Sequence, residues 1–111
     1  MKVDLEKQGT VAVLVPRDAL TESTTPALRD VADSLQRQGG APRIVVDLTN
    51  VPYVDSAGIE GLLSLAGGAA TPLQARFASL SETVREALQL TGVIKRLVVY
   101  ESVEAAVRSY R

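Results

Sequence analysis

An α/β fold is predicted for this chain: a mixed, mostly parallel sheet of four to five strands with about four helices packed on it, in one domain over residues 1–111. Three observations predict it. Short apolar, β-branched runs recur at residues 11–15, 43–48 and 97–100. Between them lie segments whose apolar residues repeat at helical spacing, and strands alternating with helices imply parallel neighbours joined by crossovers. A length of 111 residues, 46% of them hydrophobic and 23% charged, supplies one core and not two. The order of the strands is not legible.

The elements follow in turn. Residues 2–8 alternate loosely and Gly9-Thr10 turns the chain into the run Val11-Ala12-Val13-Leu14-Val15, the pattern of a hairpin feeding an inner strand. Residues 16–25 are polar. Thr25-Pro26 reads as an N-cap with proline at the first helical position. Leu28, Val31, Ala32 and Leu35 then carry a helix over residues 26–38, which Gly39-Gly40 and Pro42 end. Residues 43–48 are the continuous apolar run of a strand covered on both faces. After Asp55-Ser56, the residues Ile59, Leu62, Leu63 and Ala66 mark one buried helix face, stopped by Gly67-Gly68, with Thr71-Pro72 as a loop. Residues 73–80 read as a strand less enclosed than the others, because of Gln74 and Arg76. Ser81 caps a helix carrying Val84, Ala87 and Leu88 and closed by Thr91-Gly92. Residues 97–100 form the last strand, and Ser102 caps a terminal helix with Val103, Ala106 and Val107 inward.

Two absences narrow the function. With no histidine and no cysteine there is no Ser-His-Asp or Cys-His triad, no thiol redox chemistry and no ordinary zinc site. A Ser-Lys nucleophile needs Lys2, Lys7 or Lys95 beside a serine, and no spacing supports it. No phosphate-cradling glycine loop with a lysine is present. The reading is therefore not an enzyme, with no cofactor and no metal. Thirteen acids against twelve bases, with no basic block, argue against nucleic acid. No apolar run spans a membrane and no signal-peptide core opens the chain, so a cytoplasmic location is expected.

One stretch stands out: Val51-Pro52-Tyr53-Val54-Asp55-Ser56-Ala57-Gly58-Ile59. It places a serine and a carboxylate where a strand hands over to a helix, whose first turn has unpaired N–H groups and tolerates an added anion. A serine there can carry a phosphate without melting the fold. The plain structural reading is a helix cap by Asp55 or Ser56. Against stopping there, Gly58 and Gly61 each cost about 1 kcal/mol relative to alanine within a helix, which suggests close approach of something to the backbone. A helical wheel puts Ala57, Glu60, Gly61 and Ser64 on the side away from the buried stripe, with Leu65 at its margin as an apolar contact. Asp55, Ser56, Ala57, Gly58, Glu60, Gly61, Ser64 and Leu65 are thus the candidate partner surface. Arg29, Arg37 and Arg85 are read as solvated, Lys95 and Arg96 as lying near a helix C-terminus, and Tyr53 as packing on the sheet edge.

The run Ile44-Val45-Val46-Asp47-Leu48-Thr49-Asn50-Val51, leading to Tyr53-Val54-Asp55-Ser56-Ala57-Gly58-Ile59, resembles the STAS family, which includes the bacterial anti-sigma factor antagonists. So do the segment Leu80-Ser81-Glu82-Thr83-Val84-Arg85-Glu86-Ala87-Leu88-Gln89-Leu90-Thr91-Gly92 and the closing strand and helix, and the likeness covers nearly the whole chain. The resemblance implies partner switching. The serine matching Ser56 is phosphorylated by an anti-sigma factor that is also a serine kinase. The unphosphorylated protein binds that kinase and frees a sigma factor, and a phosphatase resets the cycle. Two departures matter. Thr21 stands where the resemblance implies an acid, and Asp18 where it implies glycine, so phosphorylation is expected to be slower or to use another contact. The short stretch at residues 67–72 implies a second helix shorter by about one turn of ~3–4 residues. The same resemblance leaves two alternatives: an accessory subunit of a phospholipid-transport ABC assembly, or a scaffold component of a stress-sensing complex.

Overall fold

A computed structural model describes residues 1–39, 42–67 and 73–111. Its strands are β1 (Val3–Gln8), β2 (Val11–Pro16), β3 (Arg43–Asp47), β4 (Arg76–Ala78) and β5 (Val99–Tyr100). They lie side by side in sequence order; β1 pairs antiparallel with β2 and every later pair is parallel. The helices are α1 (Thr25–Arg37), α2 (Ser56–Ala66), α3 (Glu82–Leu90) and α4 (Val103–Arg108). The mixed, mostly parallel sheet with four helices is the predicted architecture.

Strand β2 shows why both faces of the sheet are covered. All six of its residues are buried, and alternation sends them to opposite sides. Ala12 and Leu14 join Leu20, Leu28, Ile44, Leu62, Phe77 and Leu88 in the larger core. Val11, Val13 and Val15 meet Val45, Ala78, Ala106 and Val107 on the other side, under α4. Helices α3 and α4 begin as predicted: Ser81 accepts a hydrogen bond from the Val84 amide at 3.3 Å and Ser102 from the Ala105 amide at 3.1 Å.

Four details differ from the sequence reading. Helix α1 starts at Thr25, with Thr24 in the cap position. The Thr24 hydroxyl does not cap; it donates to the Ala19 carbonyl (2.6 Å) and accepts from the Thr21 amide (2.8 Å), tying down the preceding loop. Strand β4 is only Arg76–Ala78, and it is fully enclosed at Phe77 and Ala78 because β3 and β5 flank it. Residues 97–98 precede β5 rather than belong to it. Gly92, at φ +76°, turns the chain into a short 3-10 helix, Val93–Arg96, which uses up the approach to the sheet. The predicted breaks at Gly40, Gly68 and Thr71-Pro72 lie outside the described residues. Among the described residues no helix is long and apolar enough to cross a membrane.

The C-terminus is locked at the start of the parallel strands. The Tyr110 hydroxyl lies 2.9 Å from the Ile44 carbonyl oxygen and 3.0 Å from that of Gln74. The Arg76 guanidinium sits 4.1 Å over the Tyr110 ring and donates to Ser109. Burial pushes the Tyr110 phenol above its ordinary value. The fold therefore prefers neutral Tyr110, and this contribution is complete below about pH 10 and lost as pH rises through the raised value. Tyr110→Phe is expected to cost about 1 kcal/mol at neutral pH and to flatten the stability loss above pH 10. Urea melts at pH 8 and across the alkaline range test this, and an unchanged alkaline limb would refute it.

Candidate functional site

The Asp-Ser turn is built by two loops stitched together. After β3, Leu48 and Val51 are fully buried and pin the chain, with the Leu48 amide donating to the Ala78 carbonyl (2.9 Å) and the Val51 amide to that of Leu48 (3.1 Å). The loop then meets the one that follows β2. The Leu20 amide donates to the Tyr53 carbonyl at 3.1 Å, the Asp55 amide to the Leu20 carbonyl at 3.0 Å, and Leu20 and Val54 form an isolated parallel bridge. The start of α2 is thereby fixed against the loop before α1.

Asp55 is the cap. One carboxylate oxygen accepts from the Gly58 amide at 2.8 Å, the usual N-cap bond. The other accepts from the Glu22 amide at 3.1 Å, across 33 residues of sequence. Ser56 is the first residue of α2 and is exposed. Its hydroxyl has no hydrogen-bond partner among the described residues, so the capping role belongs to Asp55 alone. The amides of Ser56 and Ala57 lie in the unpaired first turn, where the helix dipole favours an anion. A phosphate on Ser56 would find N–H donors there without displacing Asp55.

The predicted outer face of α2 needs correction. Gly58, Gly61 and Leu65 are buried, while Ile59, Leu63 and Ala66 are only partly so. Helix α1 covers a flank of α2 that the wheel left open, and this rotates the buried arc. The two glycines do permit a close approach, but by the chain itself. A Cβ on Gly58 would lie 2.2 Å from the Leu20 carbonyl oxygen, and one on Gly61 would lie 2.3 Å from the Thr25 methyl. Leu65, 2% exposed, is a core residue and not a surface contact. Asp55, Ser56, Ala57, Glu60 and Ser64 keep some or all of their exposure.

Arg29 is exposed, as expected, and in addition donates to the Ser64 hydroxyl, linking α1 to α2. Tyr53 was expected to pack on the sheet edge, yet it stands 52% exposed three residues before Ser56. The sequence reading missed Glu22, Ser23 and Thr25. Glu22 borders two shallow clefts. One, of about 220 Å³ between α1 and α2, is also lined by Thr25, Pro26, Ala57, Glu60 and Gly61. The other, of about 430 Å³, is lined with Thr21, Ser23 and Asp55. The buried Thr25 hydroxyl has no hydrogen-bond partner among the described residues. No local sequence signal marks Glu22, because its link to Asp55 exists only once the loops meet. Among the described residues no three acids gather as a metal site.

The description of the STAS domain matches residues 2–106, nearly the whole chain. The chain belongs to the STAS domain family. No curated protein matches it. Among solved structures, this STAS chain is similar to a putative anti-sigma factor antagonist of Thermotoga maritima, at TM-score 0.82 and 19% identity over 96% of this chain and 92% of that one. An anti-sigma factor antagonist of Mycobacterium paratuberculosis aligns at TM-score 0.80 and 20% identity, over 97% and 92% of the two chains. The Bacillus cell-fate determinant SpoIIAA, in its phosphorylated form, aligns at TM-score 0.68 and 19% identity over 99% and 100%. At these identities the likeness concerns the fold.

Proposed function

We propose that this STAS domain is an anti-sigma factor antagonist that works by partner switching, with Ser56 as the phosphoacceptor. The observation that carries the reading is the exposed, unbonded Ser56 hydroxyl at the first position of α2, beside a capping carboxylate that leaves it free. The unphosphorylated protein binds an anti-sigma factor that is also a serine kinase, across Asp55, Ser56, Ala57, Glu60 and Ser64. Phosphate adds about −1.5 to −2 charges next to Asp55 and Glu60. The helix terminus offsets that charge within the domain, whereas a partner docked on the same face meets added bulk and an unpaired anion. ATP belongs to the partner, a phosphatase restores the hydroxyl, and the domain itself does no chemistry. Residues 1–111 act as one unit, in the cytoplasm, where sigma factors work.

Thr21 lines the cleft next to Asp55 and Glu22, so at position 21 itself the kinase meets a hydroxyl in place of a carboxylate, and slower phosphate transfer is expected. The test is a pull-down from the source cells with the parent, Ser56→Ala and Ser56→Asp. Parent and Ser56→Ala are expected to retain an anti-sigma kinase, and Ser56→Asp to lose at least about tenfold in affinity, or about 1.4 kcal/mol. Only Ser56→Ala should resist phosphorylation while still binding. Capture of transport ATPase subunits equally by all three would overturn the switch and leave Ser56 as a structural position.

A further inference from the structure

The net charge of −1 conceals a sorted molecule. In a parallel sheet the strand C-termini and the helix N-termini share one end, and here that end carries Ser56. Asp18, Asp47 and Glu101 end strands or follow them, Glu82 and Glu104 open α3 and α4, and Glu22 and Asp55 flank the phosphoacceptor. Of the cations at this end, Lys2 and Arg17 both pair with Asp4, at 3.7 and 2.7 Å, while Arg29 lines the cleft beside Glu22 and Arg85 stands three residues after Glu82 in α3. The two pairs with Asp4 are the only ion pairs among the described residues.

The opposite end is richer in cations, with Asp33 and Glu86 as the acids one turn from the ends of α1 and α3. Arg37 closes α1, Arg108 closes α4, and Lys95 and Arg96 precede β5, positions that the helix dipole alone explains. Lys7, Arg43, Arg76 and Arg111 have no such explanation. Lys7 pairs with Ala12 near the start of β2, Arg43 begins β3 opposite Val11, and Arg111 follows the Tyr110 anchor, whereas Arg76 lies further along the sheet, opposite Val45, and is half-buried against the Tyr110 ring. Arg43 and Arg76 bond hydroxyls, not carboxylates. Two of the largest exposed apolar side chains lie at the same end. Leu90, the last residue of α3, is 80% exposed, and Val98, whose carbonyl accepts from the Phe77 amide, is 51% exposed.

We propose that this basic end docks on an anionic lipid surface. Exposed apolar side chains set among unpaired cations suit the headgroup boundary, where a bilayer accepts both, and each Lys or Arg near the surface adds to the attraction. The acidic end lies about 20 Å away along the six-residue β2, beyond a Debye length of about 8 Å in physiological salt, so it does not cancel the pull. Docked in this way, the domain holds Ser56 away from the membrane and open to a soluble partner. Nucleic acid suits the patch less well, because its exposed hydrophobic residues are aliphatic and offer no stacking platform.

The test is co-sedimentation of the full chain with phosphatidylcholine vesicles, with and without phosphatidylglycerol. Partition onto the anionic vesicles is expected to exceed that onto neutral ones at least about tenfold, and to vanish near 1 M salt, where the Debye length is about 3 Å. The double variant Arg108→Glu/Arg111→Glu should lose at least about tenfold, and Leu90→Glu several-fold, with circular dichroism confirming that each is folded. Equal partition onto both lipids, indifference to these substitutions, or tighter binding to a DNA duplex than to anionic vesicles would overturn the proposal. None of these outcomes depends on Ser56.

Discussion

Gly58→Ala is expected to destabilise the domain by about 3 kcal/mol, although alanine is the better helix former by about 1 kcal/mol. The added methyl would stand 2.2 Å from the Leu20 carbonyl oxygen and 2.9 Å from its carbon, both backbone atoms. That oxygen accepts the Asp55 amide, and the Leu20 amide in turn holds Tyr53. Relief of the clash must therefore part the two loops that build the site. Overpacking costs about 1–3 kcal/mol and a lost hydrogen bond about 1 kcal/mol. Gly61→Ala meets only the Thr25 methyl, which can turn aside, so about 1 kcal/mol is expected there. Urea titrations of both variants at unchanged slope provide the measurement. A Gly58→Ala protein as stable as the parent would mean that α2 does not press on Leu20 as described.

These glycines show what was legible in the sequence. Their energetic oddity could be read directly, but not the identity of what approaches them. Periodicity on one helix reports the face turned to the sheet, whereas α1 covers α2 from the side, and that contact joins residues far apart in the chain. Leu65 was misplaced for the same reason. The caps at Ser81 and Ser102 were legible because an N-cap is a local device, settled within three residues. The alternating helices and strands were legible because each carries its own period. Glu22 and Arg29 were not, since their partners, Asp55 and Ser64, lie 33 and 35 residues away. The uneven charge at the two ends of the sheet escaped notice because the cations are scattered along the chain and come near one another only in the folded domain.

Phe77→Ala is expected to cost about 3–5 kcal/mol, the largest loss from any single truncation in this aromatic-poor core. The sequence reading placed Phe77 in a half-open strand, yet it is 0% exposed. It pairs in register with Val46 on one side and Val99 on the other, and belongs to the cluster formed by Leu14, Leu62, Val84 and Leu88. Small domains hold only about 5–15 kcal/mol in all, so the variant should melt about 10–20 °C below the parent. Tyr53→Ala makes the contrast. Its ring is 52% exposed, and its removal should shift stability by no more than about 0.5 kcal/mol. Paired calorimetry of the two variants separates the roles of the two rings. If Tyr53→Ala melted as early as Phe77→Ala, the tyrosine would be a core residue and not the exposed ring described. If it melts with the parent, any partner binding it loses belongs to the surface beside Ser56, whereas binding lost by Phe77→Ala reports unfolding.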